Sequence, residues 1–159
     1  MLQALMDRRA TPPAVLSIAG SDSGGGAGIQ ADIKAFARCG VHGMTAITAL
    51  TAQNTVGVTA VHTVPPDFIV EQVRAVAGDI GVDAVKIGML GTAETIEAVA
   101  RALDLCGDAP VVVDPVMVAE SGARLLDEAA VDALRTLLLP RAAVVTPNVP
   151  EARALAGAG

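Results

Sequence analysis

The 159-residue sequence has few aromatic side chains, few charges and few cysteines. Phe36 and Phe68 are the only aromatic residues, so the chain offers almost no rings on which bases could stack. Lys and Arg total 11 against 17 Asp and Glu, and no basic tract occurs, which argues against nucleic-acid binding. Cys39 and Cys106 lie far apart without a CxxC or Cys/His cluster. We therefore expect two buried, reduced cysteines and neither a zinc site nor a disulfide framework.

Long apolar runs are also absent. Charged residues or Pro interrupt every apolar stretch well short of the about 18 residues that a membrane helix needs. Asp7, Arg8 and Arg9 follow the first short apolar run, the reverse of a secretory signal, and we interpret residues 1–13 as a flexible extension. Hydrophobic residues nevertheless make up 52% of the chain, which excludes a disordered protein. These features predict a cytoplasmic protein that does not bind membranes.

Short β-branched runs alternate with helical stretches, which is typical of parallel βαβ units. Strands are predicted at residues 14–19, 44–50, 58–64, 84–87, 111–113 and 142–145, and the third of them is predicted to be more exposed. Helices are predicted at about residues 28–39, 66–81, 92–106, 126–139 and 150–155. No interior linker is evident. The pattern therefore predicts one α/β domain.

Unusual polar residues and a methionine cluster at the ends of these predicted strands. They are Asp22, Gln53, Lys86, Met89, Asp114 and Asn148. The carboxyl ends of parallel strands line one crevice of an open sheet, and ligands bind in that crevice. We therefore expect the functional site at this edge.

The turn at residues 20–28 contains five glycines and joins the first strand to the first helix. Its amides and the helix N-terminus favour an anion, but no Gly-Lys-Ser/Thr follows, so it is not a Walker A loop. Residues 26–31 fit GxGxxA loosely. A dinucleotide site is disfavoured because the strand ends about six residues earlier and no acidic residue ends the second strand. Close approach of a ligand to bare backbone best explains the glycines.

Asp32 lies in the first turn of the helix after this loop. A helical wheel predicts an inward stripe that includes Ile29, Ile33 and Phe36, and an outer face that includes Gln30. Asp32 falls close to the apolar side. Its charge is explained either by the helix dipole or by a ligand donor that meets the carboxylate.

Asn148 and Glu151 stand at the start of the last predicted helix. They either form a capping box or hold hydrated magnesium beside phosphates. Asp114 is likewise either a cap of the following segment or a metal-directed carboxylate. His42 and His62 have no partner at a telling spacing, so no Ser-His-Asp arrangement is predicted.

Five stretches together resemble the bacterial hydroxymethylpyrimidine/phosphomethylpyrimidine kinases of the ribokinase-like superfamily. The first, AGSDSGGGAGIQADIKAFARCGVHGMTAITALTAQNTVGV from Ala19, is long and highly specific to this family. The others are VKIGML from Val85, VVVDPVM from Val111, SGARLL from Ser121 and TPNVPEA from Thr146. Pyridoxal kinases of the same superfamily share the later motifs but match the first stretch poorly. The resemblance implies a three-layer αβα fold with a mostly parallel central sheet.

The resemblance also implies an activity. Family members use ATP to phosphorylate 4-amino-5-hydroxymethyl-2-methylpyrimidine, and then its monophosphate to the diphosphate, in thiamine diphosphate biosynthesis. Carried over by position, Asp32 and Gln53 would hydrogen-bond the aminopyrimidine. Gly20, Thr51 and Met89 would contact it from the pocket wall.

Asn148 and Glu151 match the NxxE motif that binds the magnesium nucleotide in this family, and Asp114 would support the metal and phosphates. The family's glycine-rich anion-hole loop and catalytic residue would lie C-terminal to Gly159. The resemblance thus implies a kinase domain over residues 14–159 that is C-terminally incomplete and inactive alone.

Three alternatives stay open: a non-catalytic pyrimidine-binding fragment, half of a split enzyme, or a related pyridoxal/pyridoxine kinase. Family members are commonly homodimers, and the exposed strand at residues 58–64 is a candidate contact.

Overall fold

The computed structural model describes residues 11–118, 126 and 128–157. The predicted extension therefore lies outside the described residues up to residue 10, and so does all of the SGARLL stretch except Leu126. Among the helices of the described ranges, none has both the length and the apolar character of a membrane span.

One sheet runs through the described part of the chain, in the strand order β3-β2-β1-β4-β5-β6. Its strands are β1 (Ala14–Asp22), β2 (His42–Gln53), β3 (Val58–Thr63), β4 (Ala84–Ile87), β5 (Val111–Val113) and β6 (Val144–Val145). All neighbouring pairs are parallel except β2 and β3, which are antiparallel. β1 pairs with β2 on one side and β4 on the other, so the strand order reverses at β1. Such a switch point opens a crevice at the carboxyl ends of the strands.

Helices cover both faces of this sheet. They are α1 (Gly28–Arg38), α2 (Pro66–Asp79), α3 (Ala93–Leu103), α4 (Glu128–Ala133) and α5 (Val149–Ala156). Ser17 of β1 hydrogen-bonds to Asp32 of α1, whereas its neighbour Leu16 packs in the same core cluster as Ile69 and Val73 of α2. Successive side chains of a strand point to opposite faces, so α1 and α2 lie on opposite sides. The three-layer αβα architecture and the mostly parallel sheet are confirmed.

The strands at residues 84–87 and 111–113 agree with the prediction, and β3 is exposed at the edge of the sheet as expected. The helix predicted at residues 126–139 is less regular. It continues from α4 as a π-helical segment, Leu134–Leu138, and a 3-10 turn, Leu139–Arg141. The N–H of Leu139 donates to the carbonyl of Leu134, five residues earlier. Pro140 has no N–H to continue an α-helical ladder, so the helix does not end in a regular turn.

The prediction of two buried cysteines is wrong for one of them. Cys106 is buried, but Cys39 is exposed, and both are free thiols. Cys39 follows the last residue of α1, and the chain then turns through Gly40 at φ +72° into β2, which begins at His42. Ala37, Arg38 and Gly40 are exposed as well, so this end of the helix lies at the surface.

Candidate active site

A cavity of about 310 Å³ opens at the carboxyl-terminal edge of β1, β2, β4 and β5. Its size is that of a small-molecule site. All five residues expected at the pyrimidine pocket line this cavity: Gly20, Asp32, Thr51, Gln53 and Met89. The structure therefore brings these five positions together, although they are spread over 70 residues of sequence.

Of the three residues expected to bind the nucleotide and the metal, one lines this cavity and two lie outside it. Asp114 lines the cavity at the end of β5. Asn148 and Glu151 do not line it and instead begin α5.

The glycine-rich loop does enclose an anion, but that anion is the carboxylate of Asp22. Its Oδ1 accepts a hydrogen bond from the N–H of Gly24 at 2.7 Å, and its Oδ2 accepts from Gly26 and Ala27 at 2.9 Å each. Burial by itself raises the pKa of Asp22, but these N–H groups and that of Gly25 together hold it below its ordinary value. The expectation that the loop amides serve a ligand is therefore wrong for the three that Asp22 occupies.

Two glycines of the loop permit close approaches within the protein itself. Gly28 has φ +55°, and a Cβ there would overlap the carbonyl oxygen of Gly20. A Cβ on Gly20 would overlap the terminal methyl of Met89. Close packing of the loop on β1 therefore accounts for Gly28, whereas the Met89 methyl beside Gly20 ends a flexible side chain and Gly20 itself lines the cavity.

Asp32 meets two donors of the protein. Its Oδ2 accepts from Ser17 Oγ at 2.6 Å, and Lys86 Nζ lies 3.1 Å from both of its carboxylate oxygens. Since α1 begins at Gly28, Asp32 lies in the second turn and not in the first, so the helix dipole explains little of its position. A charged partner explains it better.

The inward face of α1 differs from the predicted stripe. Ile29 is buried, Asp32 and Phe36 are half-buried, but Ile33 is 41% exposed. Gln30, predicted on the outer face, hydrogen-bonds to the last two residues of β1 through both ends of its amide. The helix is thus rotated so that polar residues at two positions bind the sheet edge, which a wheel based on hydrophobicity alone does not detect.

Lys86 is a site residue that the sequence placed at the functional edge of the sheet but to which we assigned no role. It lies within β4 between the buried Val85 and Ile87, and its Nζ lies 3.9 Å from Asp114 Oδ2 as well as against Asp32. A lysine inside an apolar strand is costly unless it is paired. A lysine within an apolar strand was therefore the sequence signal for a paired residue. The sequence alone did not identify its partners, Asp32 and Asp114.

Thr51 and Gln53 form the wall at the end of β2. Thr51 Oγ1 is 2.9 Å from the carbonyl oxygen of Ser21 and 3.1 Å from Gln53 Oε1. Within the described part of the chain, Gln53 Nε2 makes no hydrogen bond to protein, so this donor is available to a ligand. Asp32 contributes an acceptor to the same cavity.

Asn148 and Glu151 form a reciprocal capping box at the start of α5. The Asn148 side chain accepts from Glu151 N at 2.9 Å, and Glu151 Oε2 accepts from Asn148 N at 2.9 Å. Glu151 is only 7% exposed, and its Oε1 lies 3.4 Å from Met117 N. The capping interpretation is therefore confirmed, and Glu151 is close enough to Asp114 for their charges to interact.

Asp114 is a half-buried carboxylate with Lys86 on one side and two other carboxylates nearby. Burial and the nearby charges of Glu151 and Asp32 raise its pKa, although Lys86 and the Thr146 hydroxyl oppose the rise. Among the described residues, no group of three or more His, Cys, Asp or Glu is arranged to hold a metal on protein ligands alone.

We expect Asp114→Asn to increase the free energy of unfolding by less than about 1 kcal/mol at pH 7, because the ionised carboxylate is disfavoured in the fold. The raised pKa means that stability falls as the pH rises from the ordinary aspartate value through the folded value. The gain should therefore vanish below about pH 4. Urea denaturation at several pH values measures it. The exposed Asp108→Asn is the control, and an equal gain there would contradict the assignment.

The comparisons with known proteins agree with this geometry. The family model described as phosphomethylpyrimidine kinase matches residues 22–159. The chain belongs to the phosphomethylpyrimidine kinase family. It is 57% identical over 142 residues to the hydroxymethylpyrimidine/phosphomethylpyrimidine kinase of Bacillus subtilis, covering 89% of this chain and 52% of that protein. It is 56% identical over 156 residues to the thiamine biosynthesis bifunctional protein ThiED of Geobacter sulfurreducens, covering 97% of this chain and 32% of that protein.

Solved structures of related kinases also superpose on this chain. The phosphomethylpyrimidine kinase of Clostridium difficile superposes with a TM-score of 0.85 at 48% identity, covering 91% of this chain and 63% of that one. The pyridoxal kinase of Staphylococcus aureus in complex with pyridoxal superposes with a TM-score of 0.83 at 39% identity, covering 93% and 53%. The chain spans about half, or less, of the length of the curated relatives named above.

Proposed function

We propose that this chain contributes the pyrimidine site of a kinase that phosphorylates 4-amino-5-hydroxymethyl-2-methylpyrimidine and its monophosphate, with ATP as the donor. One observation carries the proposal. The cavity presents a carboxylate acceptor, Asp32, together with an unpaired amide donor, Gln53 Nε2. The 4-amino group and the adjacent ring nitrogen of an aminopyrimidine supply a donor and an acceptor side by side. The two edges are complementary.

Asp32 has room for one more hydrogen bond. An ionised carboxylate offers about four acceptor sites, of which Ser17 takes one and Lys86 approaches one on each oxygen. The remaining site suits a single N–H donor from a ligand. Met89 and Val116 give the cavity an apolar lining that suits a ring with a methyl substituent.

Solved neighbours of this fold support ATP as the phosphoryl donor. The Staphylococcus aureus pyridoxal kinase has been solved in complex with ADP and with AMP-PCP, at 40% identity and a TM-score of 0.82 in both cases. Phosphoryl transfer depends on positioning the reactants and on neutralising charge that spreads over the phosphate oxygens. A magnesium ion supplies that neutralisation when it is bound.

The residues present fit a hydrated magnesium ion that binds mainly through nucleotide phosphates. Mg²⁺ keeps several waters and takes one or two carboxylates. Asp114 carries a charge that Lys86 only partly balances, and Glu151 adds a second charge nearby. Because both Glu151 oxygens already accept from backbone N–H groups, Glu151 would act on the ion through water and hold the start of α5.

Pyridoxal is the second candidate substrate, favoured by the similarity to the pyridoxal complex of the Staphylococcus aureus kinase. Its hydroxymethyl-substituted ring also presents an acceptor and a donor. Pyridoxal carries no exocyclic amino group, so it cannot donate an amino hydrogen to Asp32 as an aminopyrimidine does.

Titration calorimetry of the 159-residue chain with the pyrimidine alcohol tests the proposal. We expect saturable binding that Asp32→Asn and Gln53→Ala each weaken about tenfold, since Asn replaces the charged acceptor by a neutral one and Ala removes the amide donor. The exposed Asp108→Asn should leave the affinity unchanged. Absence of binding by the wild-type chain would contradict the proposal, and tighter binding of pyridoxal would favour the second candidate.

A further inference from the structure

Lys86 lies between two carboxylates of the cavity. Its Nζ is 3.1 Å from both oxygens of Asp32 and 3.9 Å from Asp114 Oδ2. Its side chain is 23% exposed, and among the described residues that line the cavity it is the only cation. The second lysine of the chain, Lys34, is exposed and donates to the carbonyl of Gly25.

The sheet register builds this contact. Ser17 of β1 and Lys86 of β4 are direct partners in the parallel ladder, so both side chains leave the sheet toward α1 at the same level. Both side chains contact the Asp32 carboxylate from the side of the sheet. The hydroxyl of the buried Ser17 donates to Asp32 Oδ2, with 2.6 Å between the two oxygens. Two donors on rigid neighbouring strands therefore fix the orientation of the carboxylate.

Gly88 leaves space for the ammonium group. A Cβ at this position would lie 2.9 Å from Lys86 Nζ and 3.0 Å from Ala19 Cβ. Any larger residue would push the lysine away from Asp32. The local sequence Lys86–Ile87–Gly88 therefore supplies both the cation and the room that it needs.

We propose that Lys86 is a positioning residue that selects amino over oxo substituents by fixing the Asp32 carboxylate so that its remaining acceptor site is turned toward the ligand. The proposal rests on the proposed function and deepens it. An ionised carboxylate has no proton to donate, so the ligand must present a donor to it. The 4-amino group does so, whereas the carbonyl oxygen of a 4-oxo analogue would meet the carboxylate with repulsion. A site that hydrogen-bonds one group rejects the analogue that lacks it.

A double-mutant cycle separates this role from direct contact of Lys86 with the ligand. The probes are 4-amino-5-hydroxymethyl-2-methylpyrimidine and its 4-oxo analogue, titrated calorimetrically into the wild type, Asp32→Asn, Lys86→Met and the double variant. Lys86→Met should weaken the amino ligand about tenfold and leave the oxo ligand unchanged or tighter. In the Asp32→Asn background, the same change should alter affinity less than about twofold, because the residue that it positions is gone.

Lys34→Met is the matched control, since it removes the same charge away from Asp32 and should change neither affinity. Equal weakening of both ligands by Lys86→Met, or additive effects in the cycle, would overturn the proposal and leave the pyrimidine site standing. Failure of the wild type to bind either ligand would overturn the proposed function as well. If circular dichroism shows that Lys86→Met does not fold, Lys86→Gln takes its place in the same cycle with the same expected and contradicting outcomes.

Discussion

Replacing Gly28 by Ala is expected to lower the free energy of unfolding by about 3 kcal/mol. Two effects add. The backbone of Gly28 has φ +55°, a conformation that costs an L-residue about 1–2 kcal/mol. The new Cβ would also overlap the carbonyl oxygen of Gly20, which belongs to the buried part of β1 and cannot move without shifting the strand. The antiparallel bridge between Ser21 and Gly28 would be lost with it.

Two other glycines separate these effects in chemical denaturation. Gly40 has φ +72°, and a Cβ there would meet no atom within 4 Å, so Gly40→Ala introduces the backbone strain alone. Gly57 has neither a positive φ nor a near neighbour, so Gly57→Ala introduces neither effect. We expect the loss of stability to rise from Gly57→Ala through Gly40→Ala to Gly28→Ala. If Gly28→Ala cost no more than Gly40→Ala, the contact between the loop and β1 would not be tight.

Sequence patterns predicted two of the central strands and part of the behaviour of the glycine-rich loop. Short, mostly apolar runs predicted β4 and β5 at the residues where they are observed, although Lys86 interrupts the apolar run of β4. The glycines predicted a loop with unusual backbone demands, which Gly28 has. The sequence did not indicate that the anion in the loop is the side chain of Asp22, because a nearby carboxylate and a bound phosphate place the same demands on the amides.

For the site, the sequence predicted residues that share the cavity but not the contacts between them. Resemblance placed Asp32 and Gln53 in one pocket, and the sheet topology does bring them to the same cavity. Lys86 was assigned no role because that role depends on the register between β1 and β4, which joins residues 69 positions apart. The predicted inward stripe of α1 was wrong at Ile33, which is exposed. A helical wheel ranks residues by hydrophobicity, whereas α1 is oriented by the polar contacts of Asp32 and Gln30.

Replacing Asp22 by Ala is expected to lower the free energy of unfolding by about 2 to 3 kcal/mol at pH 7. The change removes three hydrogen bonds to one ionised group, from Gly24, Gly26 and Ala27. Water can replace part of them, because Gly24, Gly26 and Ala27 are exposed. The loop lines the cavity through Ala27 and Gly28, so the proposed affinity for the pyrimidine should fall together with stability.

The pH dependence identifies the carboxylate as the cause. Burial opposes its ionisation, yet the loop N–H groups hold the pKa of Asp22 below its ordinary value. Its contribution is therefore complete above about pH 4 and is lost as the pH falls through the depressed folded value. Denaturation of wild type and Asp22→Ala should give a difference in the free energy of unfolding that is constant from about pH 5 to 8 and becomes smaller in acid. Asp108→Ala removes an exposed carboxylate that makes no ion pair within the described part of the chain, and it should give no such difference. A gap between wild type and Asp22→Ala that persisted unchanged in acid would show that the loop depends on the packing of Asp22 and not on its charge.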